Sequence, residues 1–234
     1  MTNEVIEENK KKYLELFDKY ILPNYEGAEN LRTWLVEKSD FFTAPASLKY
    51  NLAEDGGLCK HTLNVFNRLM TTFKTEYMGV AADAEVEKLD EYCEALDIDY
   101  CGVALISLCF DIYKCNTYKI TIINEKVYSD IGTKHDELGR YDWISKPAYT
   151  WEPDFQYGRG AKSVFILQSF LHDVSITEGM AIRYHLYGNE NMSMCGIDAG
   201  IYVVAKENKL IPLLHIADLQ AQYIDEIPDI CSNS

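Results

Sequence analysis

The chain has 234 residues, and its 37 Asp and Glu side chains outnumber its 22 Lys and Arg side chains, which gives a formal net charge of −15 at pH 7. A hydrophobic fraction of 47% and a charged fraction of 25% are typical of a folded globular protein and exclude a disordered or collagen-like chain. Because nucleic-acid binders carry a basic face that neutralises phosphates, the acidic balance argues against nucleic acid and anionic membranes as partners. A small anionic ligand stays compatible with it, since a pocket need not share the sign of the whole surface.

Cysteine usage and the N-terminal segment predict a cytoplasmic protein. The seven cysteines form no CxxC pair and are odd in number, so reduced and mostly buried thiols are expected rather than a zinc site. The segment MTNEVIEENKKKY is polar and acidic, unlike a signal peptide. No apolar run approaches the roughly 20 residues that a membrane-spanning helix needs. The cysteines are Cys59, Cys93, Cys101, Cys109, Cys115, Cys195 and Cys231.

Hydrophobic periodicity predicts a mainly α-helical single domain over residues 1–234. The predicted helices, in chain order, cover residues 4–22, 29–38, the segment after Gly56 and Gly57, and residues 100–112, 162–171, 178–187 and 210–223. The acidic stretch 79–98 is compatible with a helix start or a solvated connection, and residues 197–205 with a strand or a helix.

A β-hairpin is predicted as an insertion over residues 117–150. The segment TYKITIINEKVY is rich in β-branched and aromatic residues, and the later segment AYTW is a candidate strand to pair with it. The polar stretch Gly132–Arg140 is predicted to form the turn between them.

Several His and Asp residues lie inside or at the ends of the predicted helices. Asp111 interrupts an apolar run, where a carboxylate is unfavourable unless it is paired or functional. His61 begins a helix, His185 comes late in another, and His215 precedes Asp218 by three residues on one helical face. Such residues on separate helices can converge on a metal, whereas each His taken alone is more commonly a hydrogen-bonded core residue.

Six sequence blocks together resemble the HD-domain phosphohydrolase superfamily, and more closely a branch of small HD proteins common in phages and Firmicutes. The blocks are SDFFTAPAS (39–47), EDGGLCKHTLNV (54–65), ALISLCFDIYK (104–114), GRGAKSV (158–164), AIRYH (181–185) and PLLHIADLQAQY (212–223). They follow the order of the family. The resemblance implies an all-α HD helical bundle into which the hairpin is inserted.

The resemblance also implies a metal chemistry. In that family a His, a His-Asp pair and a distant Asp hold one or two divalent metals, which polarise a phosphate and activate a water. The first His corresponds to His61, the Asp of the pair to Asp111 and the distant Asp to Asp218.

The sequence departs from the family pattern at several positions. Phe110 stands where the family has the His of the pair, Arg159 where a ligand His of GHGEKS is expected, and Ala161 where that motif has Glu. Asn51 stands where relatives often have a His. A phenyl ring has no lone pair and a guanidinium repels a metal, so no cofactor is expected. Manganese, iron, magnesium or nickel is expected only if the chain is an active hydrolase.

The dipeptide His172-Asp173 spells the family motif in the wrong block. It follows the helical segment KSVFILQSF, where the family has a surface turn. We therefore expect an exposed helix end there and not a ligand pair.

The replacements favour a pocket for a phosphate-bearing molecule. Arg159 offers a planar fork suited to phosphate oxygens, although an ion pair with Asp111 or Asp218 is an alternative role for it. Aromatic side chains are expected to stack on a base, and His185 to donate a hydrogen bond. The residues predicted to bind the ligand are Arg159, Lys114, Lys162, His185, Phe110, Tyr184 and Asn51.

Three functions are compatible with these observations. The first, which we favour, is a non-enzymatic protein that binds and sequesters a signalling nucleotide in the cytoplasm of a bacterial cell, a counter-defence role suggested by the resemblance to phage HD proteins. The second is an active metal-dependent phosphohydrolase acting on nucleotides or cyclic nucleotides. The third is a structural or protein-interaction role. Assembly into a homo-oligomer is left open by the sequence.

Overall fold

The computed structural model describes residues 1–84, 99–155, 157–186 and 205–227. This part of the chain is mainly helical with one small sheet, as predicted. Its α-helices are α1 (Asn3–Tyr20), α2 (Ala28–Thr33), α3 (Gly57–Thr72), α4 (Tyr100–Cys109), α5 (Arg159–Gln168), α6 (Ile176–Tyr184) and α7 (Leu210–Gln220). Single π-helical turns continue α2, α3 and α7 over Trp34–Lys38, Phe73–Tyr77 and Ala221–Asp225, and a 3-10 turn follows α4 over Ile112–Lys114. Most of the acidic stretch 79–98 and of the ambiguous segment 197–205 lies outside the described residues.

Helix α4 forms the centre of the hydrophobic core. Its sequence YCGVALISLC is apolar on every side because α1, α3 and α6 pack around it, so no face meets solvent. Tyr13 of α1 is fully buried, and its hydroxyl donates a 3.0 Å hydrogen bond to the carbonyl of Leu108. Within the described residues no helix is both long and apolar enough to cross a membrane.

Two glycines set the positions of helices that carry site residues. Gly56 precedes α3 with a φ of 78°, which favours glycine, and so starts the helix one turn before His61. Gly160 lies where α5 crosses α6, and a Cβ there would overlap the carbonyl oxygens of Ile182 and Arg183. The close approach of α5 therefore depends on glycine at this position.

The predicted hairpin is present as an antiparallel ribbon. Strand β1 (Tyr118–Tyr128) pairs with β3 (Gly139–Trp151) from the Tyr118–Trp151 pair at its base to the Tyr128–Tyr141 pair near its tip. The segment predicted to be a polar turn also contains a third strand, β2 (Lys134–Asp136), which the sequence did not predict. This strand pairs with the start of β3. The sheet order is β1-β3-β2. Asp136 accepts hydrogen bonds from Lys126 and from the Leu138 amide, which stabilises this folded tip.

Candidate functional site

Three residues from three helical segments meet in the core below a large cavity. His61 comes from α3, Asp111 from the end of α4 and Asp218 from α7, and all three are buried. The Nε2 atom of His61 lies 3.1 Å from Oδ1 of Asp218 and 3.6 Å from Oδ2 of Asp111. The structure therefore brings together the three positions that the sequence blocks single out.

Two further charged residues complete this cluster. The Nζ atom of Lys114 lies 2.5 Å from Oδ2 of Asp111, the carboxylate oxygen that also faces His61. On the other side of the imidazole, Oε1 of Glu226 lies 2.8 Å from Nδ1 of His61 and accepts a hydrogen bond from Asn64. Neither Glu226 nor Asn64 was expected at the site from the sequence. Sequence spacing does not indicate Glu226 as a site residue, because it lies eight residues after Asp218, just past a π-helical turn.

Mutual pairing keeps these buried groups charged. Burial on its own lowers the pKa of His61, but its hydrogen bonds with Asp218 and Glu226 raise that pKa to about 9. Burial likewise opposes ionisation of Asp111, yet the nearby charge of Lys114 holds the pKa of that carboxyl well below its usual range. The hydrogen bond from His61 lowers the pKa of Asp218 against the effect of burial. The cluster is therefore a buried network of opposite charges at neutral pH.

The donor set of this cluster does not fit a divalent metal. An imidazolium donates from both ring nitrogens and has no lone pair for a metal, and both nitrogens of His61 face carboxylates. The ammonium group of Lys114 already holds the carboxylate of Asp111. Among the residues that the structure describes, no group of three His, Cys, Asp or Glu side chains has a geometry suited to a metal.

A cavity of about 860 Å³ opens above the charged cluster. Its wall contains an aromatic part and a charged part, and more cations than anions contribute to the charged part. The Lys and Arg residues at the cavity are Lys49, Lys114, Arg159 and Lys162, and the carboxylates are Asp111, Asp218 and Glu226. The positive excess contrasts with the net charge of −15 of the whole chain.

The N-terminus of α5 forms one wall of the cavity through Gly158, Arg159 and Lys162. Lys162 is only 4% exposed, and its Nζ atom lies 3.3 Å from Oγ1 of Thr117. Within the described ranges no carboxylate forms an ion pair with this ammonium group, and burial lowers its pKa. The hydroxyl of Ser163 donates to the carbonyl of Phe110, which attaches α5 to the end of α4.

Three of the residues predicted to bind the ligand do not line the cavity. Phe110 is fully buried, with its ring centroid 5.1 Å from that of His185 and 5.8 Å from that of His61, a position that does not fit the predicted stacking on a bound base. Tyr184 is partly buried, with the guanidinium of Arg183 5.2 Å from its ring centroid. His185 follows the last residue of α6, is fully buried and is not part of the cavity lining.

His185 instead lies next to Asp111 of the charged cluster. Its Nδ1 atom donates to the carbonyl of Ile182 at 2.7 Å, and its Nε2 atom lies 3.6 Å from Oδ1 of Asp111. This Nε2 atom is buried without a hydrogen-bond partner among the described residues. The predicted hydrogen bond from His185 to a ligand in the cavity therefore does not fit this orientation.

The remaining predicted residues have the following positions. Arg159, Lys114, Lys162 and Asn51 line the cavity, and the amide of Asn51 donates to the main-chain carbonyl of Gln222. Lys114, and not Arg159, is the cation that pairs with Asp111.

His172 and His215 each donate a hydrogen bond to a main-chain carbonyl group. His172 is exposed at a turn, as expected, and its amide donates to the carbonyl of Glu26. His215 donates to the carbonyl of His185 at 2.9 Å. Among the described residues Cys59, Cys109 and Cys115 are buried free thiols and Cys101 is partly buried, while Cys93, Cys195 and Cys231 lie outside the described residues.

Comparisons of the chain with protein-family models, with curated proteins and with solved structures find no match.

Proposed function

We propose that this protein binds a small phosphate-bearing molecule, a nucleotide above all, in the cavity and retains it without hydrolysis. The observation that carries the proposal is the excess of positive charge at a large cavity in an acidic protein. The three carboxylates there are already engaged, Asp111 with Lys114 and the other two with His61. A polyphosphate or phosphodiester group would supply the matching negative charge.

The N-terminus of α5 offers the best position for the phosphate. Main-chain amide groups at a helix N-terminus point outward and carry partial positive charge, which favours an anion. Here that end of the helix also brings Arg159 and the buried ammonium group of Lys162 to the cavity. A guanidinium binds phosphate oxygens through paired hydrogen bonds, so the two residues would act together.

Retention without turnover is favoured by the state of the charged cluster. His61 faces Asp218 and Glu226 as an imidazolium and is not available as a base, and Asp111 is held by Lys114. The likeness to small HD proteins of phages and Firmicutes supports an HD-type bundle with a degenerate site. Sequestration of a signalling nucleotide in the bacterial cytoplasm, as phage counter-defence, is part of the same proposal.

Calorimetry on the full chain tests this function, with orthophosphate, mononucleotides and nucleoside triphosphates as probes. Arg159→Ala and Lys162→Met are expected to weaken binding about ten- to a hundredfold, because each removes a charge-assisted hydrogen bond worth about 1.5–3 kcal/mol. Arg140→Ala is the matched control, because Arg140 lies near the tip of the hairpin and outside the cavity lining. Absence of binding for every probe would contradict the proposal.

A metal-dependent phosphohydrolase is the second candidate. The convergence of Asp111 and Asp218 on His61, each with a carboxylate oxygen within 3.6 Å of its Nε2 atom, favours it. The experiment is incubation of nucleotides and cyclic nucleotides with the protein and added manganese, iron, magnesium or nickel. Turnover that Asp111→Ala abolishes would establish this candidate in place of the first.

A protein-interaction role has one observation in its favour. The hairpin carries exposed apolar side chains on one face, such as Ile122, which is 70% exposed, and Trp143, which is 50% exposed. Light scattering on the purified chain measures whether this face supports a homo-oligomer. An oligomer that Ile122→Lys dissociates would support the interaction role.

A further inference from the structure

Two groups of aromatic side chains line the cavity in addition to Tyr50 and Tyr223, and neither group contains the residues that the sequence suggested for base stacking. The hairpin aromatic group consists of Tyr113, Tyr118 and Trp151, and the Trp151 ring centroid lies 5.3 Å from that of Tyr118 and 6.1 Å from that of Tyr113. The linker aromatic group consists of Phe155 and Tyr157, whose ring centroids lie 6.4 Å apart between β3 and α5.

Both groups keep accessible ring surface. Trp151 is 38% exposed and Phe155 is 41% exposed, although both rings pack against other aromatic residues of the protein. Ring surface that lines a cavity is suited to stacking, because each planar base offers a complementary π-face. The cavity therefore presents two places for a planar group rather than one.

A buried cation lies against the linker aromatic group and contacts the residue that precedes Tyr118 of the hairpin aromatic group. The Nζ atom of Lys162 is 3.3 Å from Oγ1 of Thr117, the residue before Tyr118, and 4.8 Å from the ring centroid of Phe155. A second cation, Lys114, lies beside the hairpin aromatic group, with its Nζ atom 5.7 Å from the ring centroid of Tyr113. Positive charge beside each of two aromatic surfaces matches a ligand in which phosphate joins two bases.

We propose that the cavity takes a dinucleotide, with one base on the hairpin aromatic group, the other on the linker aromatic group and the joining phosphate at Lys162. This inference rests on the proposed binding of a phosphate-bearing molecule and specifies its class. The volume of about 860 Å³ lies in the upper part of the range of about 300–1,000 Å³ typical of ligand pockets, which leaves space beyond one mononucleotide. Because stacking accepts every base, the geometry determines the number of bases and not their identity.

Calorimetry of the full chain with three classes of probe tests the inference. The probes are orthophosphate, the mononucleotides AMP and GMP, and linear and cyclic 3′,5′-linked adenine and guanine dinucleotides. At least one dinucleotide is expected to bind about tenfold or more tightly than the matching mononucleotide, because a second base stacks. Trp151→Ala and Phe155→Ala are each expected to weaken dinucleotide binding about five- to a hundredfold and to leave orthophosphate binding within about twofold.

Trp143→Ala is the matched control for Trp151→Ala. Both tryptophans lie on strand β3 and on the same face of the ribbon, but Trp143 is nearer the tip and does not line the cavity. Trp151→Phe and Phe155→Tyr preserve a ring and are expected to retain most of the affinity, which separates stacking from a folding defect. Far-UV circular dichroism checks each variant.

The outcomes distinguish this inference from the function on which it rests. If mononucleotides bind as tightly as dinucleotides, or if only one of the two alanine variants weakens dinucleotide binding, the two-base arrangement is overturned while the anion pocket stands. If orthophosphate and every nucleotide fail to bind, the proposed function and the inference fail together.

Discussion

Lys114 and Asp111 form an ion pair, with 2.5 Å between Nζ and Oδ2, across the short 3-10 turn that ends the central apolar helix. The lysine side chain is only 13% exposed and the aspartate side chain 3% exposed, so neither charge is solvated by bulk water. The same aspartate oxygen faces His61. Lys114 and His61 therefore share one oxygen of the buried aspartate.

Removal of Lys114 is expected to destabilise the fold. Lys114→Met leaves Asp111 as a buried carboxylate without its main counter-charge, and breaking a buried pair in this way costs about 3–5 kcal/mol. Urea denaturation of the variant measures the loss. The control is Lys12→Met, which breaks the exposed pair with Glu8 and is expected to change stability by less than about 1 kcal/mol. Equal effects of the two variants would contradict the importance of the buried pair.

Stability is expected to fall as pH rises through about 9, because of His61. Its pKa is raised from an ordinary value near 6.5 to about 9 by Asp218 and Glu226 against the effect of burial, so the folded state binds a proton that the unfolded state releases. The resulting stabilisation is fully present below about pH 6.5 and is lost as pH rises through about 9, and it amounts to about 3 kcal/mol.

Thermal denaturation between pH 6 and pH 10 checks this dependence. The wild-type chain is expected to lose more stability over that range than His61→Gln, which has no proton to lose at this site. His135→Gln, on the exposed strand β2, is the control and is expected to follow the wild-type profile. Parallel profiles for the wild type and His61→Gln would disprove the assignment of the charge.

Divalent metal is expected to be substoichiometric in the purified protein. Within the described residues the donors of the charged cluster are an imidazolium and an aspartate already held by Lys114, which disfavours tight binding there. Elemental analysis of untagged protein measures manganese, iron, nickel and zinc, and one equivalent of any of them would overturn this expectation. Phe110→His alone is expected to leave the metal content unchanged, whereas Phe110→His combined with Lys114→Met removes the competing cation and is expected to raise it.

Cys59 and Cys109 are expected to resist alkylation in the native protein. Burial raises the pKa of each thiol to about 12, and the thiolate is the reactive form. Treatment with iodoacetamide at pH 8 and peptide mass spectrometry are expected to show both thiols unmodified in the native state and modified in urea. Rapid native modification of either residue would contradict the packing of α3 against α4.

Most of the elements could be predicted from local sequence. The apolar run from Tyr100 predicts a buried helix because its hydrophobic residues have no polar face, and Gly56 marks the start of α3 through its backbone conformation. The β-branched segment from Tyr118 predicts the hairpin. Strand β2 was missed, because it depends on side-chain contacts at the tip of the ribbon and not on apolar alternation.

The meeting of His61, Asp111 and Asp218 was expected from the order of the sequence blocks, but their partners were not. Glu226 reaches His61 only because the chain continues past α7 through a π-helical turn, a shift that periodicity does not reveal. Lys114 pairs with Asp111 because the chain tightens into a 3-10 turn after α4. Both contacts depend on a π-helical or 3-10 turn at the end of a helix, and the helix propensities of the residues do not predict such turns.

The sequence by itself determined the helical class of the fold, the inserted hairpin and the acidic net charge, because each follows from composition and short-range pattern. Only the tertiary structure decided which aromatic residues reach the cavity. Phe110 is adjacent to Asp111 in sequence, yet its ring turns into the core as α4 ends. Trp151 reaches the cavity because its strand pairs with Tyr118 and returns the chain to the base of the hairpin. The direction of a side chain depends on packing between distant segments, which no local pattern contains.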